Sequence, residues 1–216
     1  MAIIEASEVE GWLKAGGLSN TLHTATVETV TSAVNAAVVR YCGRTFDKTA
    51  IASETAKVYG PRGRGQIRGI VSSCEAVVHD IWDTTNLVVK TDDGDDGNYS
   101  TTWDASDYTL EPLNQLDGDS YTPYWRIRAV GTRVFPTFHR RPALQVTAAW
   151  GWAAVPAEVK QAALIKAARV FTRKDSPQGV AGFGEFGVVR VSARMDPDVA
   201  EMLNPFRHPY VTALVA

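Results

Sequence analysis

The sequence is poor in the residues that build disulfide frameworks and zinc sites. Its 216 residues include two cysteines, Cys42 and Cys74, and four histidines. Two isolated cysteines are too few for either purpose, and a cytosolic chain keeps its thiols reduced. No apolar run approaches the roughly 20 residues of a membrane-spanning helix. The first residues lack the basic and apolar regions of a secretory signal. We therefore expect synthesis in the cytoplasm, with the two cysteines as small buried residues.

Motifs of catalysis are absent or incomplete. The sequence contains no H-E-x-x-H, G-x-S-x-G or Walker A pattern. Asp104 and Asp107 have the spacing of a carboxylate pair, but their neighbours do not form an apolar stretch that would separate two pKa values. The run "DDGDDGN" lacks the glutamate and flanking helices of a calcium loop and predicts an acidic hairpin turn. We predict no catalytic residue, no metal site and no cofactor.

Two further patterns suggest nucleotide or nucleic-acid binding and are weak. Gly182, Gly184 and Gly187 spell G-x-G-x-x-G, but the sequence predicts a helix before them and a strand after them, the reverse of a dinucleotide site. The basic runs "GPRGRGQIR" and "HRR" stand in a chain of pI about 6.1 and lack interleaved aromatic residues. They are compatible with non-specific proximity to DNA only.

Charge is unevenly distributed along the chain. Residues 83–119 hold ten acidic residues against one lysine, and residues 120–174 hold ten basic residues against one glutamate. The contrast is either an ordinary solvated surface or two faces that meet between neighbouring copies. For the second reading we predict these inter-subunit residues: Arg126, Arg128, Arg133, Asp92, Asp93, Asp95, Asp96, Arg169 and Arg173.

Hydrophobic periodicity predicts helices at both ends of the chain and strands between them. A first helix begins at a Ser7–Glu10 capping box, and a second of about twenty residues ends at Gly43. Seven short runs rich in Val, Ile, Tyr and Trp follow, separated by turn clusters. A long alanine-rich helix then begins at Pro156, and Asp196 precedes a short one.

These patterns predict an α+β fold. It has a helical base, made of the N-terminal helices and the long helix near 156–174, and an inserted antiparallel β sandwich or barrel-like region. The predicted segments are N-terminal helices over 1–46, a linker over 46–55, and a β-rich insert over 55–152. A long helix, glycine-rich loop and short helix occupy 153–203, and an extended tail occupies 204–216. We expect one compact domain overall.

Several short motifs occur along the chain in an order that resembles that of a known family. They are Gly43-Arg44-Thr45-Phe46, Trp150-Gly151-Trp152, Val155-Pro156, the Arg173–Gly179 stop with Ser-Pro-x-Gly, Asp196-Pro197, and Leu203-x-Pro205-Phe206. In this order they resemble the head-to-tail adaptor, or head–tail connector, proteins of long-tailed phages and gene transfer agents. The resemblance covers the ends of the chain and only loosely the β insert. The acidic stretch 83–119 departs from the family.

The resemblance implies a structural virion protein rather than an enzyme. Such a protein forms a dodecameric ring in the neck of the particle, below the portal vertex. The ring joins the portal to the stopper or tail-terminator protein, and packaged double-stranded DNA passes through its lumen. For an apolar tail that docks on the portal, we predict these contact residues: Pro205, Phe206, Pro209, Tyr210, Val211 and Leu214. The alternatives are a stopper or head-completion protein, a small β-domain carbohydrate-binding module, and an enzyme.

Overall fold

The structure is a computed structural model that describes residues 2–17, 24–63, 65–117, 120–173, 180–181, 189–190 and 196–212. The chain divides into two compact units. The helical unit comprises Met1–Gly43 and Val155–His208, and the β unit comprises Arg44–Ala154 and Pro209–Ala216. The predicted α+β class is confirmed. Among the described residues, no helix is long and apolar enough to cross a membrane.

Helices and strands follow one another in the order that the periodicity predicts, with some changes of extent. The helices are α1 (Ala6–Ala15), α2 (Thr24–Cys42), α3 (Ala157–Arg173), α4 (Pro197–Leu203) and α5 (Pro209–Thr212). The first strands are β1 (Thr55–Tyr59), β2 (Gly69–Ser72), β3 (Glu75–Thr91), β4 (Thr101–Trp103) and β5 (Tyr108–Glu111). The others are β6 (Leu116–Asp117), β7 (Ser120–Tyr121), β8 (Tyr124–Ala129), β9 (Leu144–Trp150), β10 (Val180–Ala181) and β11 (Val189–Arg190).

The first helix is capped differently from the prediction. Glu5, not Ser7, occupies the N-cap position, with extended backbone at φ −98° and ψ 156°. Its backbone N–H donates to Glu8 Oε2 at 2.9 Å, and the Glu5 side chain accepts from the Glu8 backbone in return. This reciprocal arrangement satisfies two donors that a helix end leaves open. Glutamate can therefore serve where the capping pattern favours serine, and α1 begins earlier along the chain.

The helical unit is held together by α3, which packs against α1, α2 and α4. Its buried face is rich in alanine and includes Ala162, Ala163 and Ala167. Small side chains on this face let neighbouring helices approach closely while the flanking Val159 and Phe171 fill the remaining space. The alanine-rich segment is thus explained by packing within its own unit.

One seven-stranded antiparallel sheet dominates the β unit. Its main path runs β1-β9-β3-β8-β5, and β2 and β4 also pair with β3. The path does not close on itself, so the sheet is not a closed barrel, and the predicted sandwich is not confirmed. Two of the seven predicted β-like runs, those over 75–82 and 86–91, form the single strand β3. Its register shifts at three places along its pairing with β8 and β9, and such bulges bend a strand without ending it.

Around β3 the sheet buries a cluster of aliphatic and aromatic side chains. β2 and β8 pair with its first residues, whereas β4 pairs with its last residues and β9 extends from its middle to its end. Within the cluster Trp103 stacks on Phe135 with ring centroids 4.7 Å apart. The Trp103 indole N–H donates to Thr91 Oγ1 at 3.0 Å, which satisfies a polar group in this buried region.

The two cysteines differ in burial. Cys42 is buried at the end of α2, as predicted, but Cys74 is exposed in the turn between β2 and β3. Turns lie at the protein surface because their backbone polar groups need water as a partner. The prediction that both cysteines are buried is therefore wrong for Cys74.

The C-terminal segment is not the extended tail that its prolines suggest. Asn204–Phe206 form a 3-10 turn and α5 adds a helical turn. Proline suits the first position of a helical turn because its missing N–H has no partner to lose there. Residues 213–216, the glycine-rich loop from Gly182 to Gly187 and the stop from Lys174 to Gly179 lie outside the described residues.

Candidate functional site

Arg44 and Asp80 form a buried ion pair in the β unit. Arg44 Nη1 is 2.6 Å from Asp80 Oδ1, and the two side chains are 5% and 1% exposed. The second carboxylate oxygen accepts a hydrogen bond from Trp152 Nε1 at 3.1 Å. The Arg44 guanidinium also lies over the Trp152 ring, against which Phe46 packs at a centroid distance of 5.2 Å. Two of the motifs that carry the family resemblance thus meet around one carboxylate.

Burial and the surrounding charges act in opposite directions on this carboxylate. Burial raises the pKa of Asp80 above its ordinary value, while Arg44 and the Trp152 N–H favour the ionised form and limit the rise. A buried charge needs a partner of this kind because desolvation otherwise dominates. Asp80 therefore requires a cation such as Arg44 beside it, and the pair has a structural role in the β unit.

Gly151 permits the close approach of two backbone segments beside this pair. Its φ is +105°, and a Cβ atom there would lie 1.4 Å from the carbonyl oxygen of Asp47. Next to it, the Thr49 N–H donates to the Trp150 carbonyl at 2.9 Å, and Trp82 Nε1 donates to the Thr49 carbonyl at 2.9 Å. The glycine of the Trp-Gly-Trp motif is there because no side chain fits.

The run "DDGDDGN" forms an organised loop between β3 and its antiparallel neighbour β4. Asp92 is fully buried, and its carboxylate accepts from the backbone N–H groups of Gly94 at 3.2 Å, Asp96 at 3.3 Å and Gly97 at 2.8 Å. Asp95 adopts φ +54°. A carboxylate that gathers several backbone donors stabilises a tight loop.

One cluster in this loop has the composition of a metal-ligand group. Ligand atoms of Asp92, Asp95 and His139 all lie within 4.8 Å of one another. The Asp95 carboxylate already accepts from the backbone N–H groups of Arg140 at 3.5 Å and Arg141 at 3.3 Å. These bonds tie the acidic loop to residues 139–141, which is a sufficient structural role for the cluster.

The predicted inter-subunit arginines of β8 have partners in their own chain. Arg126 lies 3.2 Å from Glu75 and 3.1 Å from Glu111, and Arg128 lies 2.8 Å from Glu111. The Arg128 hydrogen bond, followed by the charges of both arginines, lowers the pKa of Glu111. The contrast of charge along the sequence is thus at least partly balanced within the sheet.

The carboxylates of Asp104 and Asp107 organise a turn and do not form a reactive pair. They close a reciprocal capping box around the 3-10 turn Ala105–Asp107. Asp107 Oδ2 also accepts from Arg133 Nε at 3.0 Å. This carboxylate is therefore engaged twice, and the third predicted inter-subunit arginine has a partner in its own chain.

The other predicted inter-subunit residues are distributed over both units. Asp93 Oδ2 accepts from Thr101 Oγ1 at 2.7 Å beside the acidic loop, and Asp96 accepts from the Asn98 N–H at 2.8 Å. In the helical unit, Arg169 forms an ion pair with Asp196, which also caps α4. Arg173 is exposed at the end of α3. The structure therefore gathers the acidic residues but not the whole predicted set.

Tyr210 and Val211, two of the predicted portal-binding residues, pack within their own β unit. The Tyr210 hydroxyl donates to Glu75 Oε1 at 3.2 Å, and its ring meets Trp125 edge-on at a centroid distance of 6.2 Å. The Arg62 guanidinium lies 4.1 Å from the centre of the same ring. Val211 is 9% exposed. Their interactions explain why this apolar segment is ordered by its own chain.

The remaining predicted portal-binding residues differ in exposure. Pro205 and Pro209 are exposed and Phe206 is half-buried. Leu214 lies outside the described residues. Within the helical unit, Asn204 Oδ1 accepts from the Tyr41 hydroxyl at 2.7 Å. The exposed surface of the described part of this segment is therefore mainly proline.

The same fold occurs in solved structures of gene transfer agent particles. No protein-family model and no curated protein matches the sequence. A chain in the neck of an empty gene transfer agent particle, computed with C6 symmetry, matches with a TM-score of 0.55 at 15% identity, over 95% of this chain and 89% of that one. A chain in the virion of a native gene transfer agent particle matches with a TM-score of 0.53 at 16% identity, with the same coverage of both chains. At this identity the likeness shows a shared fold.

Sequence reasoning missed the residues that make the best-defined interactions. Asp80 carries no motif, and its role follows only from the pairing of β3 with β9, which places Ile81 opposite Trp150. The Trp150-Gly151-Trp152 motif does contain a signal, since a tryptophan N–H at a buried strand end needs a hydrogen-bond acceptor. A buried aspartate within the hydrophobic run "AVVHDIW" is the acceptor that could have been sought.

Proposed function

We propose that the protein is a structural component of the neck of a phage or gene transfer agent particle, and not an enzyme. The observation that carries the proposal is a fold shared with neck and virion chains over 95% of this chain. The described polar clusters also act in caps, turns and ion pairs. On this proposal the protein is part of the virion, where it is assembled after synthesis in the host cytoplasm.

Within that role we propose a head-to-tail adaptor that assembles as a ring. The order of motifs at the two ends of the chain supports the adaptor, and C6 symmetry was applied to the neck structure it resembles. The ring, in our proposal a dodecamer, joins the portal to the stopper or tail-terminator protein and lets double-stranded DNA through its lumen. A stopper or head-completion protein is the alternative within the same class.

The decisive experiment combines the purified chain with portal particles. Electron microscopy of the mixture should show added density with rotational symmetry at the portal vertex, and native mass spectrometry should give the copy number. The same chain mixed with capsids that lack the portal is the control. A chain that stays monomeric and leaves the vertex unchanged would contradict the adaptor. Binding only after a separate adaptor has been added would identify a stopper.

We propose further that charge contributes to the ring contacts. Reversing Arg126, Arg128 and Arg133 tests this, but each reversal also breaks an ion pair within the chain. A charge swap separates the two effects. The double variant Glu111→Arg with Arg128→Glu keeps an opposite-charge pair between these two positions while changing the surface that a neighbour meets; Arg126 loses Glu111 but keeps Glu75, and urea unfolding checks that the sheet is not destabilised. If the swap restores ring assembly, the arginine acts within its own chain and the inter-subunit role is rejected.

We also propose that the C-terminal segment binds the portal, and the test of this proposal should delete less than the whole of residues 204–216. Asn204, Tyr210 and Val211 have packing partners in their own units, so the long deletion would also disturb the fold. Ending the chain after Thr212 removes Leu214 and leaves those contacts in place. We expect the shortened chain to unfold at the wild-type temperature but to lose portal binding. Unchanged binding would exclude residues 213–216 as the portal contact.

A further inference from the structure

The two basic runs of the sequence meet at one cleft of the β unit. The cleft has a volume of about 430 Å³. Its lining residues come from the segments 58–68 and 140–142, together with one residue of β3; they are Val58, Tyr59, Gly60, Pro61, Gln66, Arg68, His79, Arg140, Arg141 and Pro142. Three of them are arginines, and none of the described residues that line it is acidic.

Backbone pairing holds the two basic segments in place. The Ala143 N–H donates to the Tyr59 carbonyl at 3.0 Å, next to the end of the β1–β9 pairing. On the other side, the Ile70 N–H donates to the Gly60 carbonyl at 2.8 Å. Gly69, with φ +143°, lies where a Cβ would be 2.9 Å from that same carbonyl oxygen. The arginines therefore project from fixed backbone and not from independent loops.

Carboxylates lie near the cleft but are not among its described lining residues. The Asp95 carboxylate accepts from the backbone N–H groups of Arg140 and Arg141. The Arg141 guanidinium donates to the carbonyl oxygen of Asp96 at 3.0 Å. Asp80 is paired with Arg44, and its charge also acts on Arg68. The described lining itself therefore presents arginine and no carboxylate.

His79 responds to this positive environment and stays neutral. Burial, followed by the charges of Arg68 and Lys57, lowers its pKa to about 3. Its Nδ1 lies 2.8 Å from the hydroxyl of Tyr59, which also accepts from the His79 backbone N–H at 3.1 Å. Burial also raises the pKa of Tyr59, so its hydroxyl stays protonated beside the ring.

We propose that this cleft binds a phosphate group, either of a DNA backbone or of free phosphate. Arginine presents a planar fork of donors that matches phosphate oxygens, and the amide of Gln66 adds an uncharged donor. The inference does not rest on the neck assignment, because the site belongs to a single chain.

Binding of a short fluorescein-labelled DNA duplex, followed by anisotropy at several salt concentrations, tests the DNA source. Arg140→Gln with Arg141→Gln should weaken binding about tenfold or more and reduce the salt slope by about one for each phosphate that the variant no longer neutralises. Arg40→Gln is the matched control, since Arg40 is an exposed arginine on α2 in the other unit. Circular dichroism and thermal unfolding check that the variants keep the fold.

Inorganic phosphate tests the other source. It should raise the unfolding temperature of the wild type and of Arg40→Gln more than an equal ionic strength of chloride, and the double variant should not show this rise. Stabilisation by phosphate without duplex binding supports the site and assigns it to free phosphate. Duplex binding that disappears in the double variant supports the site and assigns it to DNA. If neither ligand distinguishes the double variant from Arg40→Gln, the proposal is wrong.

Discussion

Replacing Arg44 by methionine should destabilise the β unit by about 3–5 kcal/mol. This is the usual cost of breaking a buried ion pair by removing one partner. Asp80 is 2% exposed, and without Arg44 its carboxylate would lose the cation that most favours its ionised form, although the Trp152 N–H and the charge of Arg68 would remain. For a chain of 216 residues each kcal/mol lowers the unfolding temperature by about 2–4 °C.

The companion substitution Asp80→Asn should also be costly, and the two should be strongly non-additive. A carboxylate offers one oxygen to Arg44 and the other to Trp152, whereas an amide has a single acceptor oxygen and no charge. The buried guanidinium then loses its counter-charge, at about 3–5 kcal/mol. Neutralising both members removes the buried charges together and is often nearly neutral. The double variant should be more stable than the sum of the single effects by about 3 kcal/mol or more.

Urea unfolding followed by tryptophan fluorescence measures this double-mutant cycle in the β unit, which contains both substitutions. Five of the six tryptophans lie in the β unit, and only Trp12 lies in the helical unit. The signal therefore reports mainly on the part that contains the substitutions. A loss below about 1 kcal/mol for Arg44→Met, or additive effects in the double variant, would refute the claim that the pair is buried and interdependent.

The pH dependence of Arg44→Met gives an independent check. Arg44 is the strongest of the groups that oppose burial here, so without it the pKa of Asp80 should rise further above its wild-type value. The folded variant then holds a proton that the unfolded chain releases above about pH 3.9. Its stability is fullest below that pH and is lost as pH rises through the raised pKa. The deficit relative to wild type should therefore shrink in acid.

Four single sites give further predictions. Gly151→Ala should cost about 3 kcal/mol in urea unfolding because of the positive φ and the Asp47 carbonyl, whereas Gly11→Ala, which has open space on α1, should stabilise by about 0.5–1 kcal/mol. NMR titration should show the His79 ring neutral well below the ordinary imidazole pKa of about 6.5, with stability lost as pH falls from there toward about 3; a midpoint near 6.5 would contradict its burial. Glu111→Gln should cost only about 1 kcal/mol, since its partners are partly exposed, and a loss above about 3 kcal/mol would show a buried network instead.

Local patterns predicted most elements because local physics determines them. The helical spacing of apolar residues identified α2 and α3, and all seven β-like runs lie in or overlap strands. The predictions that failed concern the extent of a strand and the conformation of the C-terminal segment, which depend on tertiary packing. The sequence predicts two separate runs over 75–82 and 86–91, but bulges let β3 continue through the residues between them. The prolines near 205–209 suggested an extended tail, but they begin helical turns that pack on their own units.

Charge balance was the hardest feature to predict because it depends on strand register. The acidic and basic stretches look like two faces meant for different molecules when they are read along the chain. In the sheet, β5 runs antiparallel to β8 and places Glu111 directly opposite Arg126. Opposite charges on neighbouring strands attract across a few ångströms. A stretch of like charges along the sequence therefore need not form a surface patch of like charge in the folded protein.

The converse holds for the basic cleft. "GPRGRGQIR" and "HRR" are separated by more than half of the β unit, and each is too short to indicate binding alone. The pairing of β1 with β9 brings them together because Tyr59 lies opposite Leu144. A net charge of −2 averages over the whole chain and conceals this local excess of arginine. Since phosphate recognition depends on the local field rather than on net charge, the near-neutral pI excludes a strongly basic DNA-binding protein but does not exclude this cleft.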